Sequence, residues 1–345
     1  MHRIIINASS PSHLFFLLPY INENFYDVSL IWTGKKETID SIKNYIKLPR
    51  NIYFFTFKYI PFWIPSICEV IRYKSFLKKN FIKSHTTNYK LFIPFNTSMH
   101  IKITQRILKI RNDDIYLYDD GMAGFLESRT KLVFLKTIFT LIHGFPYFVS
   151  PDRLFSDKSV KNGISINPDL VYKGKNKNIN ICDSATTIRS SFQDVYKENC
   201  KNSFEPNSAL ILTHHSIESK RMNKKDYFNR INLVIKKIKG KGINNIYFSM
   251  HHAENLNKKY DQYISLGLIP YKSQSLPAEV LCCSNNLKII AQPFNSVVFM
   301  AGSLGLLDNK TVISYHLDNQ ALINDRVISI LKIVEQRKIQ HIILN

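Results

Sequence analysis

The sequence lacks the segments that mark membrane-spanning, secreted and disulfide-rich proteins. No stretch approaches the roughly 20 uninterrupted apolar residues of a transmembrane helix, and the apolar run between Met1 and Asn7 is too short for a signal-peptide core. The five cysteines are odd in number and show no C-x-x-C spacing, which argues against a disulfide framework or a zinc ribbon. We therefore expect a protein of the reduced cytoplasm that is not secreted.

Acidic residues and several ligand-binding motifs are also scarce. The sequence has no D-x-D or H-E-x-x-H motif and no helix-turn-helix, RNP or zinc-knuckle pattern. Its 26 Asp and Glu residues oppose 47 Lys and Arg residues, which gives a net charge of +21. Such a surface should attract phosphates, anionic lipid headgroups or acidic sugars. A basic nucleic-acid-binding protein is one alternative, although the positive charge is spread over many segments.

What the chain does contain is a repeated alternation of short apolar runs and helix-length stretches, which is typical of parallel α/β sheets. The candidate strands are Ile4–Asn7, Val28–Thr33, Ile52–Phe57, Leu91–Phe95, Ile115–Tyr118, Leu210–Thr213, Ile246–Ser249, Leu287–Ala291 and Thr311–Tyr315. Residues 151–207 show no long periodicity, so the linker should lie there. We predict an N-terminal Rossmann-like domain over residues 1–180, a linker over 181–207 and a second Rossmann-like domain over 208–345.

Polar residues follow two candidate strands of the first half. Asp119 and Asp120, followed by a glycine, come directly after Ile115–Tyr118. A carboxylate pair at that edge can supply a general base, because like charges held close push one pKa upward; a plain Asp-Gly turn is the alternative. Ser9 and Ser10 follow the first strand at the start of an apolar helix, where an anion or an ordinary N-cap is expected.

Four polar segments of the second half follow strands or open helices. They are Thr213-His214-His215, Met250-His251-His252-Ala253-Glu254, Pro277-Ala278-Glu279 and Asn295-Ser296. The simpler interpretations are loop histidines, a first-turn acid and a helix cap. Two doubly wound domains whose carboxyl edges face a cleft would instead make these segments a donor pocket, as in nucleotide-sugar glycosyltransferases of the GT-B type.

The order of these motifs resembles that of bacterial sialyltransferases of the capsule, O-antigen and lipooligosaccharide pathways. Members of that family carry an acidic-acidic-Gly motif, a His-Pro motif, a Pro-Ala-Glu helix start and a later serine motif. Here Asp119-Asp120-Gly121 represents the first. An alanine follows His252, so either His251 or His252 is the counterpart of the family's histidine.

The resemblance implies an inverting transferase that moves sialic acid from CMP-sialic acid to a glycan hydroxyl. Asp119, or Asp120 as second choice, would be the general base, and His252 or His251 would assist the departing phosphate. The single-phosphate leaving group implies that no metal is needed. The implied donor-binding residues are Ser9, Ser10, Thr213, His214, Glu279, Asn295 and Ser296, with Glu279 on the ribose and Ser296 on the phosphate. A transferase with another nucleotide-sugar donor is the alternative.

Two stretches are apolar enough to suggest attachment to a surface. Phe54–Tyr73 and Leu132–Val149 are interrupted by charges and prolines, so core helices are the simpler interpretation. Aromatic residues close to Lys74, Lys78, Lys79 and Lys83 would also suit an anionic membrane interface. We therefore expect peripheral binding at the cytoplasmic face of the membrane, where lipid-linked glycan acceptors are assembled.

Overall fold

The computed structural model describes residues 2–24, 27–60, 64–82, 88–94, 99–119, 125, 133–142, 154–200, 203–251, 254, 256–271, 276–293, 296–315 and 325–344. The chain divides into two compact units, Met1–Ile188 (unit 1) and Arg189–Asn345 (unit 2). The division falls inside the stretch 181–207 that the sequence assigns to the linker.

Unit 1 contains a parallel sheet with the strand order β3-β2-β1-β6-β7-β8-β9 and a separate hairpin, β4–β5. Its strands are β1 (His2–Ala8), β2 (Val28–Trp32), β3 (Asn51–Phe54), β4 (Tyr59–Ile60), β5 (Ile64–Pro65), β6 (Asn88–Ile93), β7 (Ile115–Tyr118), β8 (Asn162–Ser165) and β9 (Asn180–Asp183). Its helices are α1 (Pro11–Phe16), α2 (Leu18–Glu23), α3 (Lys36–Ile42), α4 (Ile67–Phe81), α5 (Met99–Ile107) and α6 (Val133–Ile142). Without the hairpin, the order is the doubly wound 3-2-1-4-5-6 arrangement extended by one strand.

Helix α7 (Ala185–Asn199) crosses the division, and unit 2 contains a second parallel sheet in the order β12-β11-β10-β13-β14-β15. Its strands are β10 (Ser208–Leu212), β11 (Ile246–Ser249), β12 (Ile269–Pro270), β13 (Leu287–Pro293), β14 (Thr311–Tyr315) and β15 (Gln340–Leu344). Its helices are α8 (Lys224–Lys239), α9 (Leu256–Ser265), α10 (Ala278–Leu281), α11 (Ser296–Ser303) and α12 (Asp325–Gln336). This is again the doubly wound order.

Helix α8 shows why the local sequence folds as it does. The side chain of Asn223 caps its first turn by accepting a hydrogen bond from the Asp226 amide at 2.9 Å. Tyr227, Ile231 and Val234 recur at helical spacing and are fully buried in the unit 2 core. Capping and apolar periodicity therefore both favour the helix that the sequence predicts.

The stretch predicted to be irregular, 151–207, is wrong in part, because it contains β8, β9 and the 15-residue helix α7. Four buried residues of α7 share the spacing of one helix face: Ile188, Phe192, Val195 and Tyr196. The two strands are only four residues long and rich in asparagine, so they carry little periodic signal. The edge strand β15, which follows the predicted final helix, was likewise missed.

Three rings of the aromatic stretch from Phe54 to Tyr73 pack against one another in unit 1. The ring of Phe55 lies 4.6 Å from that of Phe57 and 4.7 Å from that of Tyr73. The Arg72 guanidinium lies over Phe55, 4.6 Å from the ring centroid, and pairs with a carboxylate oxygen of Glu69 at 2.6 Å. Phe55, Phe57 and Tyr73 are therefore core residues, whereas Phe54 is exposed. Phe62 and Trp63 lie outside the described residues. None of the helices described has the length and apolarity to cross a bilayer.

Candidate functional site

Strand register explains why histidines meet at the carboxyl edge of the unit 2 sheet. Leu212 of β10 pairs with Ser249 of β11 in a parallel ladder. Two residues further along each strand, His214 and His251 leave the sheet at the same level. The carboxyl ends of parallel strands are where doubly wound sheets bind ligands, so the sequence prediction about this edge coincides with the geometry.

Three imidazoles lie in contact at this edge, with the rings of His214 and His215 stacked and that of His251 tilted against them. The ring centroids of His214 and His215 are 4.4 Å apart, those of His215 and His251 4.6 Å apart, and those of His214 and His251 5.7 Å apart. Burial, with a smaller contribution from the positive charge of Arg221, lowers the pKa of His215. Within the described residues, no group of three His, Cys, Asp or Glu side chains is arranged to hold a metal ion.

A buried carboxylate, Glu254, fixes the backbone that carries these histidines. One of its oxygens accepts hydrogen bonds from the His251 amide, at 2.8 Å, and from the Thr213 hydroxyl. The other accepts from the Lys259 ammonium at 2.8 Å and from the Tyr263 hydroxyl at 3.0 Å. The side chain of Glu254 is fully shielded from solvent, so these bonds stabilise its charge in place of water.

The ammonium of Lys259 ties the network to the segment after β10. It donates to the His214 carbonyl at 3.0 Å and pairs with Glu218 at 2.8 Å. It also lies over the ring of Tyr227, 4.6 Å from the centroid. Burial is the main cause of the raised pKa values of the Tyr227 and Tyr263 hydroxyls, which therefore act as neutral hydrogen-bonding groups. The three histidines are consequently held by a buried network of charged and hydrogen-bonded side chains.

Two further predicted donor-binding residues lie on neighbouring helices of unit 2. Glu279 is half-buried in the first turn of α10, and burial raises the pKa of its carboxyl group. Ser296 is the half-buried first residue of α11, which contacts α10. Asn295 and His252 lie outside the described residues. Thr213 is buried and its hydroxyl is engaged with Glu254 and the Ser249 carbonyl.

In unit 1, Asp119 follows β7 at the carboxyl edge, as the sequence predicts. The residue is only 2% exposed, and one carboxylate oxygen accepts a hydrogen bond from the Ile166 amide, just after β8, at 2.9 Å. The adjacent Tyr118 donates to the Asn7 carbonyl of β1 at 2.8 Å. Asp120 and Gly121 lie outside the described residues. The carboxylate of Asp119 is thus anchored to the next strand of the sheet.

Ser9 and Ser10 occupy the turn between β1 and α1. The Ser9 amide donates to Nδ1 of His13 at 3.2 Å. Ser10 is the N-cap residue of α1, but its hydroxyl bonds to that of Ser12 at 2.8 Å instead of capping the helix. A Cβ atom on Gly34 would overlap the Ser9 carbonyl oxygen, so the loop after β2 approaches this turn very closely.

The sequence analysis predicted the histidines of this site but missed buried residues around them. Lys259 and Tyr263 are separated by four residues on α9, so both lie on one face of that helix, but a lysine in an amphipathic helix ordinarily indicates a solvated side chain. Gln292, near the carboxyl end of β13, is fully buried, and neither its amide oxygen nor its nitrogen has a hydrogen-bond partner in the described part of the chain. Such an amide is destabilising by about 1–3 kcal/mol.

A cavity of about 520 Å³ lies elsewhere in unit 2. Its lining includes Lys288 at the start of β13 and Lys310 just before β14, so it is at the amino edge of the sheet. None of the predicted site residues lines it. Burial lowers the pKa of Lys310, which donates to the Leu306 carbonyl at 3.1 Å.

No family model matches the chain, and no curated protein sequence matches it. Several solved structures share its fold. UDP-N-acetylglucosamine 2-epimerase from Rickettsia bellii is 14% identical, with a TM-score of 0.53 over 97% of this chain and 88% of the epimerase. An α/β-galactoside α-2,3-sialyltransferase from Photobacterium phosphoreum is 14% identical, with a TM-score of 0.51 over 99% of this chain and 97% of that enzyme.

A UDP-glucose:anthocyanidin 3-O-glucosyltransferase is 10% identical, with a TM-score of 0.51 over 100% of this chain and 86% of that enzyme. At these identities the likeness concerns the fold. Together with the two doubly wound sheets, it shows that the chain has the α/β fold of GT-B type, with two Rossmann-like domains, that the sequence predicts.

Proposed function

We propose that this chain is an inverting glycosyltransferase that moves sialic acid from CMP-sialic acid to a sugar hydroxyl of a surface glycan. The observation that carries the proposal is the group of three imidazoles held at the ends of β10 and β11 by the Glu254 network. Imidazoles at a ligand-binding edge can donate hydrogen bonds or a proton to a phosphate. One of the structures that share the fold is named as a sialyltransferase, so the fold is compatible with this activity.

The chemistry follows from these groups. Asp119, or Asp120 as second choice, takes the proton from the acceptor hydroxyl. At the same time the oxygen of that hydroxyl forms a bond to the anomeric carbon of the sialic acid. The bond from that carbon to the phosphate oxygen breaks, and CMP departs with the electron pair. His251 or His252 donates to the departing phosphate. No metal is required in this scheme, so turnover should persist in excess chelator.

Other side chains orient the donor. Glu279 accepts hydrogen bonds from the ribose hydroxyls, and its partly desolvated carboxyl group is suited to bind hydroxyl donors. Ser296 and Asn295 bind the phosphate, and His214 is a further donor-binding residue. Thr213 acts through Glu254, because its hydroxyl is already engaged, and is a positioning residue. The acceptor is a lipid-linked O-antigen, capsule or lipooligosaccharide glycan at the cytoplasmic face of the membrane.

A UDP-sugar donor is the second candidate. The epimerase from Rickettsia bellii and the plant-pigment glucosyltransferase are both named for UDP-linked sugars. The two donors differ in their nucleobase, which is cytosine or uracil, and in the number of phosphates that the site must hold.

The test is thermal stabilisation by CMP, UDP and GDP, followed by transfer from CMP-sialic acid. Of the three nucleotides, only CMP should raise the melting temperature of the wild-type protein. His251→Gln should reduce both this rise in melting temperature and the turnover rate. His341→Gln, which changes a histidine of the edge strand β15, is the matched control and should leave both unchanged. Stabilisation by UDP instead of CMP would establish the second candidate, and no stabilisation by any of the nucleotides would refute both.

A further inference from the structure

Helix α6 of unit 1 presents its apolar side chains outward. Five of its ten residues are large, apolar and exposed: Phe134 (74%), Leu135 (47%), Ile138 (38%), Leu141 (45%) and Ile142 (65%). Thr137, a polar residue, is instead buried. This arrangement is the reverse of that in an ordinary surface helix, where the apolar side chains face the core.

The exposed residues form one continuous stripe, because they recur at intervals of three and four along the helix. Contiguous exposed apolar patches on soluble proteins mark interaction sites, whereas isolated exposed residues are ordinary. Ten helical residues extend about 15 Å, half the thickness of a bilayer's hydrocarbon core. Such a helix can therefore lie in an interface but cannot cross it.

The charge of the surrounding sequence indicates what covers the stripe. Residues 128–150 contain no Asp or Glu, whereas the same part of the sequence contains Arg129, Lys131 and Lys136. An apolar stripe accompanied by positive charge fits an anionic lipid surface. A second copy of the chain, which carries a net charge of +21, would bring like charges together there.

We propose that α6 is a membrane-contact helix that lies in the interface of an anionic bilayer, with its apolar stripe inserted among the lipids. The inference deepens the proposed function by giving the enzyme a surface that faces lipid-linked acceptors. It is a different contact from the aromatic stretch of residues 54–73, in which the rings of Phe55, Phe57 and Tyr73 are packed inside unit 1.

The experiment is vesicle flotation of the full chain with phosphatidylcholine alone or with an equimolar mixture of phosphatidylcholine and phosphatidylglycerol. The wild-type protein should float with the anionic vesicles, and added salt should weaken binding. Phe134→Ser/Ile142→Ser should lower the partition coefficient about 10-fold or more. Both side chains are mostly exposed, so the change opens no core cavity, and Phe134→Leu should retain binding.

Ile67→Ser/Ile71→Ser on α4 is the matched control, because these isoleucines are 49% and 60% exposed on another helix of unit 1. It should bind as the wild-type protein does. Equal loss in both variants, equal floating with neutral vesicles, or no floating at all would overturn the proposal. A dimer in sedimentation that only the α6 variant abolishes would instead assign the stripe to a second copy. Transfer to a soluble acceptor should survive the α6 substitutions, so lipid binding and the proposed chemistry can fail separately.

Discussion

The two units have the same strand order but organise their polar residues differently. In unit 2, a buried carboxylate and a buried ammonium support three histidines at the carboxyl edge. In unit 1, the described part of the corresponding edge holds the anchored carboxylate of Asp119 after β7 and a serine turn after β1, and an outward-facing apolar helix lies elsewhere in the unit. One topology therefore supports a buried ion-pair network in one unit and an exposed apolar helix in the other, so chemistry must be argued from side chains and not from topology.

The largest expected effect tests the chemical role of unit 1. Asp119→Asn should lower transfer by about 10²–10⁴-fold, the usual contribution of a general base. The unfolding free energy should hardly change, because the asparagine oxygen can still accept from the Ile166 amide. Steady-state kinetics and urea denaturation measure the two quantities.

The matched variants for that prediction are Asp120→Asn and Asp119→Ala. Near-normal turnover in Asp119→Asn with loss in Asp120→Asn would move the base by one residue. If Asp119→Asn is active while Asp119→Ala is less stable by about 1–3 kcal/mol, the Asp119 carboxylate is structural.

The second prediction concerns the buried ion pair beneath the histidines of unit 2. Lys259→Met removes the cation from the buried Glu254 carboxylate and should lower the unfolding free energy by about 3–5 kcal/mol. Lys43→Met is the control in unit 1, because Lys43 and Asp40 form an exposed pair that should contribute at most about 1 kcal/mol. Urea denaturation compares the two variants, and similar small losses in both would show that the network is not the support we describe.

The third prediction concerns the core of unit 1. Burial lowers the pKa of His100 from 6.5 to about 4, so between these pH values the unfolded chain binds more protons than the folded one. The free energy of unfolding should therefore have its full value above pH 6.5 and fall by about 3 kcal/mol as the pH drops to 4. His100→Phe, whose ring would remain beside Phe57, should flatten this dependence in denaturation curves measured at each pH. An unchanged slope would assign the dependence to other groups.

Sequence patterns predicted most strands because their apolar runs are bounded by turn residues. Ile246–Ser249 and Thr311–Tyr315 have the predicted limits. β10 starts two residues earlier and ends one residue earlier than predicted, and β13 ends two residues later. The short strands β8 and β9 were missed because half or more of their residues are polar or glycine. The pairing of β8 with β7 and of β9 with β8, and not their composition, places them in the sheet.

The candidate site was predictable only at its edge. The positions of His214 and His251 follow from strand ends, which sequence patterns mark. The role of Lys259 does not, because its burial depends on contacts with Glu218 and the His214 carbonyl, both of which are distant in sequence. The roles of Asp119, His251, Glu279 and Ser296 stay predictions until the variants are measured.

The close approach of Gly34 to the Ser9 carbonyl has a consequence for how this chain tolerates random substitution. Any Cβ there would also come within 2.9 Å of the Trp32 ring, and the overlapped atom belongs to the backbone, which cannot rotate away. A saturation library screened only for soluble protein should therefore be depleted at position 34 almost as strongly as at core positions, although the residue has no side chain and lies in a loop. The loss of substituted variants at position 34 would then reflect the close packing of two neighbouring loops. A screen that treats every position intolerant of substitution as catalytic would wrongly assign Gly34 to the active site.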